Sequence, residues 1–283
     1  MNARKSSSPI CFPGTEGGCE SPWSLYNSLI EQIPDDVCVR DYCLGIHWSY
    51  VEADCGCGVA FTTRNGAKRI CKDDLRGKPL REVAELAKSW CFEEATLGIA
   101  ALNAWYARKE LLDPLGAAYD TADDAEIGER GGSSQKDAFE MYRPRVERAG
   151  GNARVVVVGH FPHVERIDEY AQLTVLERSC RDEWDTPDPA CEYVMPQADY
   201  AFITGVTLIN KTAPRLLDLA KNAAVCMVGP SVVMTPLLFD RGVETLAGSV
   251  VADAEAAKFA CKNGGGKIFG TALQMTTISS RRQ

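Results

Sequence analysis

Short apolar runs alternate with helix-like segments along the second half of this chain, from residue 154 onwards. The runs cover residues 154–159, 173–178, 200–205, 224–229 and 244–251, and a last one lies near 267–272. Continuous apolar strands that alternate with helices are typical of a parallel sheet covered on both faces. Right-handed crossovers make such a sheet doubly wound. We therefore predict an α/β protein whose C-terminal domain, residues 151–283, is Rossmann-like.

The first half of the chain places strands before helices. After a short amphipathic helix over 23–34, β-branched and aromatic residues over 37–53 and 58–66 predict two or three antiparallel strands. Helical patterns follow over 80–90 and 92–112. This order predicts a smaller α+β domain over residues 23–112. Two further segments complete the division: a flexible leader over 1–22, and a linker with a short helix over 113–150.

Composition and charge exclude several classes of protein. The net charge of −8 argues against a dedicated nucleic-acid surface. No apolar run approaches the roughly 20 residues of a membrane helix, so we expect no membrane partner. The basic N-terminus is not followed by the apolar segment of a signal peptide, and we expect a cytoplasmic protein.

Cysteine is abundant, with 12 residues in the chain. Without a secretion signal, a disulfide framework is not expected. Reduced buried thiols are one interpretation, and metal ligation is the other. Cys55 and Cys57 are the closest pair. On an extended strand both would point to one face and could share a metal ion, although two ligands are fewer than the usual four.

The loop after the first Rossmann-like strand, Gly159–Pro162, is unusual for a nucleotide-binding domain. Ligands of such sheets bind outside the carboxyl ends of the strands. A dinucleotide fingerprint needs three glycines there, whereas this loop has Gly159 alone, so a conventional NAD dehydrogenase is not expected. His160 is a candidate catalytic acid or base, unless it only packs locally. Phe161 offers an aromatic face to a ligand.

Polar residues follow the other predicted strands. Glu177 ends the second strand, where an acidic residue commonly accepts hydrogen bonds from ribose hydroxyls. A surface ion pair is the alternative. The next two turns bring hydroxyl and amide groups near helix starts, which suits anionic ligands, with ordinary helix capping as the alternative. The candidates in these turns are Thr204, Gly205, Thr207, Asn210, Gly229 and Ser231.

A run of motifs resembles a known family. The stretches VVVVGHFP, VLER, PQADYAFITGVTLINKT and VGPSVVMTPLLFDRGVETLAG, and ATLGIAALNA before them, are similar to the putative heavy-metal chelation family, a family of unknown function. The resemblance covers about residues 24–273. It implies an N-terminal domain similar to the enolase N-terminal fold, a methyltransferase-like Rossmann domain, and a site between them. Asn103, in the last of these stretches, faces either that cleft or the core.

The resemblance also implies a role in making or handling small metal-chelating or pterin-like metabolites. One hypothesis is therefore an enzyme or binding protein for a small molecule, with a condensing, hydrolytic or transferase reaction left open. S-adenosylmethionine or a pterin-like molecule is a candidate ligand. The other hypothesis is a metal-binding or metal-delivery protein that uses its cysteines. Binding of a metal ion and formation of a homo-oligomer are both left open by the sequence.

Overall fold

The computed structural model describes residues 21–121, 137–265 and 268–280. Nearly all of the predicted leader, and residues 122–136 of the predicted linker, lie outside these ranges. In the described part of the chain, no helix is both long enough and apolar enough to span a membrane.

The larger sheet confirms the predicted fold class. Eight described strands form it in the order β4-β11-β10-β9-β8-β5-β6-β7. The strands are β4 (Ala118–Tyr119), β5 (Arg154–Val158), β6 (Gln172–Glu177), β7 (Asp185–Pro187), β8 (Tyr200–Thr204), β9 (Ala224–Val228), β10 (Val243–Val251) and β11 (Leu273–Ser279). Strands β5 to β10 are mutually parallel. Their order from β7 to β10 is the Rossmann order, and it reverses direction between β5 and β8.

The last strand departs from the prediction in position and direction. It lies at Leu273–Ser279 rather than near 267–272, and it runs antiparallel to β10. The reason is the position of the helix Ala254–Lys262, which packs on the smaller sheet and not along the larger one. The chain therefore does not cross back over the larger sheet, and β11 starts from the end at which β10 finished.

Helices of the described chain are mostly short. The α-helices are Ser24–Glu31, Leu80–Ala84, Phe92–Tyr106, Lys109–Leu112, Ala138–Glu147, Cys191–Val194, Val206–Ile209, Ala213–Leu219 and Ala254–Lys262, and 3-10 turns cover Glu85–Lys88, Asp113–Leu115, Val164–Glu169, Asp188–Ala190, Met195–Gln197 and Pro236–Arg241. The helix predicted over 92–112 ends at Tyr106, because Ala107 leaves the helical conformation with ψ at 53°.

The smaller sheet is antiparallel, in the order β1-β2-β3, as the sequence predicted. Its strands are β1 (Val39–Cys43), β2 (Trp48–Ala53) and β3 (Gly56–Phe61). One face packs on the helix Phe92–Tyr106, and the other face packs on the helix Ala254–Lys262 from the second half. Both faces are therefore covered, each by a helix from a different half of the chain.

The two halves share one hydrophobic core. A single cluster joins Leu29 and Ile99 of the first half to Ile203 and Met227 of the larger sheet. The hydroxyl of Tyr26 also donates a 2.8 Å hydrogen bond to the carbonyl of Leu208. The predicted domain boundaries stay a prediction, but this shared core fixes the surfaces that face each other across the cleft.

Candidate functional site

A cavity of about 570 Å³ lies between the two halves. Its floor includes the ends of three parallel strands, at Val158, Leu176 and Thr204. The facing wall comes from the first half and includes residues 61–65, at and after the end of β3, and Phe92. The cavity is thus at the carboxyl ends of β5, β6 and β8, beside the reversal in strand order where ligands bind in such sheets. Its volume is typical of a small-molecule site.

Five of the candidates from the sequence line this cavity. They are Gly159, Glu177, Thr204, Thr207 and Asn210. The other candidates are not part of its lining: His160, Phe161, Gly205, Gly229, Ser231, Asn103, Cys55 and Cys57. The topology therefore brings some of the predicted residues together and directs the others elsewhere.

Gly159 makes the turn after β5. Its φ is 101°, a left-handed conformation that favours glycine. Its N–H donates to the carbonyl of Leu176 at 2.8 Å, which keeps the turn against β6. A β-carbon here would lie 3.1 Å from Cγ2 of Thr204, so the glycine also leaves space at the cavity floor.

The carboxylate of Glu177 organises the same corner. Its Oε2 accepts a hydrogen bond from the backbone N–H of His160 at 3.1 Å, and its Oε1 accepts one from Ser179 at 3.0 Å. A carboxylate has about four acceptor positions, so two such bonds leave capacity for a hydroxyl or amino group of a ligand.

The imidazole of His160 is bound by carboxylates. Nδ1 lies 2.8 Å from Oδ1 of Asp185, and Nε2 lies 3.5 Å from Oδ2 of Asp182. The hydrogen bond to Asp185 raises the pKa of His160. His160 is outside the cavity lining. The catalytic role of His160 stays a prediction.

The side chains of His160, Asp182 and Asp185 also form a group of potential metal ligands. Their donor atoms lie within 4.8 Å of one another, and in the described chain no other group of three His, Cys, Asp or Glu residues meets that criterion. The ion pair between the imidazole and the carboxylates accounts for the same geometry without a metal ion.

Phe161 packs away from the cavity. Its ring contacts Phe139, with 5.5 Å between centroids, and Phe139 in turn packs on Phe202. The ring that was expected to face a ligand therefore packs against the helix Ala138–Glu147. No local pattern indicates this contact, because it joins two separate elements of the chain.

Thr207 and Asn210 make local hydrogen bonds and also line the cavity. The hydroxyl of Thr207 donates to the carbonyl of Thr204 at 2.7 Å, which is local stabilisation of the turn. Oδ1 of Asn210 accepts hydrogen bonds from the N–H and the hydroxyl of Thr212. Both residues still line the cavity, so ligand contact remains a prediction for each.

Ser231 and Asn103 join the two halves behind the cavity. Oγ of Ser231 accepts from the N–H of Phe61. Nδ2 of Asn103 donates to the carbonyls of Val59 and Pro230, at 2.9 and 3.1 Å, while its buried Oδ1 has no hydrogen-bond partner in the described chain. Asn103 thus satisfies backbone groups on both sides of the cleft.

Gly205 and Gly229 directly follow β8 and β9. A β-carbon on Gly205 would lie 2.4 Å from the backbone nitrogen of Val232, so only glycine allows this close approach. Gly229 has a φ of 101° and makes the turn after β9. Both positions are explained by backbone geometry.

The two cysteines predicted to share a metal point to opposite faces of the smaller sheet. Cys55 lies in the turn between β2 and β3, and its thiol donates to the carbonyl of Ala104 on one face. Cys57 packs with Tyr50 and Ala257 on the other face, where burial raises its pKa to about 12. The expectation was wrong because strand alternation does not extend into a turn.

Four arginines of the cavity wall were not predicted from the sequence. Arg64, Arg178, Arg181 and Arg215 all contribute to the lining. Arg64 begins the stretch Arg64-Asn65-Gly66, whose Asn-Gly pair is a turn signal and indicates nothing about a cavity. Arg181 belongs to a segment without periodicity. No local pattern distinguishes an arginine that faces a cavity from one that faces solvent.

Comparison with known proteins gives a consistent result. Two family models, both described as putative heavy-metal chelation, match residues 26–106 and 144–278. An uncharacterized protein of Methanocaldococcus jannaschii is 31% identical over 249 residues, which are 81% of this chain and 85% of that protein.

Two crystal structures of proteins of unknown function have the same fold. The protein from Desulfitobacterium hafniense superposes with a TM-score of 0.79 at 32% identity, over 91% of this chain and 98% of that one. The protein from Pyrococcus horikoshii superposes with a TM-score of 0.69 at 22% identity, over 90% and 98% of the two chains.

Proposed function

The chain belongs to the putative heavy-metal chelation family, and on that premise we propose that it binds a small metal-chelating metabolite in the cavity between its two halves. The observation that carries the proposal is the position of the cavity. It lies at the carboxyl ends of β5, β6 and β8, at the reversal in strand order, and the first half of the chain covers it.

The dimensions of the cavity favour a metabolite over a bare metal ion. A volume of about 570 Å³ accommodates a small organic molecule. A metal ion would instead need several His, Cys or carboxylate donors directed at one point. In the described chain the group that meets this requirement, His160 with Asp182 and Asp185, is outside the cavity lining. No described cysteine belongs to such a group, which leaves the cysteine-based delivery hypothesis without structural support. In this proposal the chelating atoms belong to the metabolite.

The lining combines hydrogen-bonding groups with apolar surface. Glu177 can accept from an amino or hydroxyl group, and Thr62 and Asn210 offer further polar contacts. Phe61 and Phe92 supply apolar surface on the facing wall. This combination supports a heterocyclic ligand, for which pterin-like molecules and S-adenosylmethionine are the two classes to test. We assign no reaction to the site.

A thermal-shift screen tests the proposal. The panel contains pterins, S-adenosylmethionine and other nucleosides, and polycarboxylates with and without a bound divalent metal. We expect one class to raise the melting temperature of the wild type, and a smaller rise in Glu177→Gln. Glu147→Gln, on the exposed side of a helix remote from the cavity, is the matched control. The absence of stabilisation across the panel would refute the proposal.

A further inference from the structure

We infer that the ligand of this cavity carries a carboxylate or phosphate group, and that Arg64 and Arg181 are the residues that select for it. This inference rests on the proposed function and adds the chemical class of the ligand. It starts from the arginines of the cavity wall, which come from separate segments of the chain.

The charge of the cavity lining is opposite to that of the protein. Four arginines of the lining outnumber its two carboxylates, those of Glu177 and Asp188. Glu192, outside the lining, pairs with Arg215, so one formal positive charge remains in excess. The whole chain carries a net charge of −8. A local excess of one sign of charge concentrates ligands of the opposite sign, so the uncompensated arginines attract anions to this cavity even though the protein as a whole is negative.

Two of the arginines are already neutralised by carboxylates. Nε of Arg178 lies 2.9 Å from Oδ2 of Asp188. Nε of Arg215 donates to Oε1 of Glu192 at 2.9 Å. These pairs account for the position of both guanidinium groups, and they offer a ligand little net charge.

Arg64 and Arg181 form no ion pair with any described residue. A guanidinium nitrogen of Arg64 donates to the carbonyl of Ile46 at 3.3 Å, which orients the side chain at the wall without neutralising it. Glu177, the nearby acid of the lining, is held by backbone N–H groups and pairs with neither arginine. Two charged donors are therefore available to a bound molecule.

The guanidinium group suits this role because its planar set of donors matches a carboxylate or a phosphate in bidentate geometry. Arg64 follows β3 in the first half of the chain, and Arg181 precedes β7 in the second. An anionic ligand that contacts both would connect the two halves. Metal-chelating metabolites commonly owe their metal affinity to the same anionic oxygens, since hard cations prefer oxygen ligands.

Isothermal titration with two simple anions tests the inference. Citrate represents carboxylates and inorganic phosphate represents phosphates, and the wild type is compared with Arg64→Gln and Arg181→Gln. We expect at least one anion to bind the wild type, with a Kd about tenfold or more weaker in each variant, because each loses a charge-assisted hydrogen bond. Higher ionic strength should weaken binding to the wild type. The anion that binds identifies the group recognised.

The control is Arg40→Gln, an exposed arginine paired with Asp54 outside the cavity, which should bind like the wild type. Circular dichroism checks that all variants are folded. Unchanged affinity in both cavity variants overturns the inference. If neither anion binds but an uncharged pterin or nucleoside does, the inference fails while the proposed function stands. If no probe of any class binds, the proposed function itself fails.

Discussion

Oγ of Ser231 accepts a 2.9 Å hydrogen bond from the backbone N–H of Phe61, although 170 positions separate the two residues. Ser231 follows β9 in the larger sheet, and Phe61 ends β3 in the smaller one. The bond therefore holds the segment that begins the facing wall of the cavity against the larger sheet.

Removal of this acceptor should destabilise the protein. In Ser231→Ala the N–H of Phe61 loses its partner in a partly buried hydrogen bond, and such a bond contributes about 0.5–1.5 kcal/mol to stability. We expect the free energy of unfolding in urea to fall by that amount. Ser179→Ala, at an exposed position, should change it by less than about 0.5 kcal/mol. Equal effects of the two substitutions would contradict the structural role given to Ser231.

Gly98 allows the helix Phe92–Tyr106 to contact the turn Glu85–Lys88. A β-carbon at Gly98 would lie 1.9 Å from the backbone nitrogen of Ala87, and backbone cannot move as easily as a side chain. Gly98→Ala gains about 1 kcal/mol of helix propensity, but overpacking costs about 3 kcal/mol or more. We expect a lower melting temperature.

The matched control is Gly265→Ala, where the nearest atom to an added β-carbon is 3.7 Å away. Its melting temperature should stay within a few degrees of the wild type, since a change of about 1 kcal/mol shifts a protein of this size by roughly 2–4 °C. A Gly98→Ala variant as stable as this control would show that the two elements separate easily.

The interaction of His160 with Asp185 should be detectable by NMR titration as a raised pKa of the imidazole. The hydrogen bond to Asp185 raises the pKa of the imidazole above its ordinary 6.5. The pair therefore stabilises the folded state fully below the unfolded pKa, and this stabilisation is lost as the pH rises through the folded pKa.

Asp185→Asn should lower the pKa of His160, and Asp182→Asn should lower it less, because the contact of Asp182 is 3.5 Å rather than 2.8 Å. An unchanged pKa of His160 in Asp185→Asn would contradict the assignment of this carboxylate as its main partner.

Lys211 lies behind the cavity wall, where Nζ donates to the carbonyls of Ile209 and Ser89. Burial lowers its pKa from 10.5 to about 7. A neutral amine has two N–H groups, which match the two carbonyls. Between about pH 7 and 10.5 the unfolded state binds the proton and the folded state does not. Stability therefore increases with pH across this window.

Lys211→Met removes this titration. The free energy of unfolding of the wild type relative to the variant should rise with pH between about 7 and 10, with a slope of up to ~1.4 kcal/mol per pH unit. The exposed residue Lys221, replaced by Met, should give a difference from the wild type that does not rise in this way. Parallel stability curves for the wild type and Lys211→Met would refute the shifted pKa.

The fold could be predicted from the sequence because local patterns determine it. The continuous apolar runs at β5, β8 and β9 identify strands buried on both faces, wherever the rest of the chain lies. The single glycine after β5 makes the turn, as expected, and its φ of 101° explains why the position is a glycine. Glu177 could be placed at the cavity because the end of a parallel strand already defines its position in the sheet.

Only the tertiary structure decided which side chains line the cavity. Arg64 and Arg181 belong to irregular segments, whose side-chain directions depend on contacts with the other half of the chain rather than on any periodic pattern. The same reason explains why Phe161 packs on a helix that precedes it, and why His160 binds Asp185. By itself the sequence determined which strands form the larger sheet and where the edge formed by their carboxyl ends lies. Only the packing of the two halves decided which side chains meet there, because that packing depends on contacts between residues far apart in the chain.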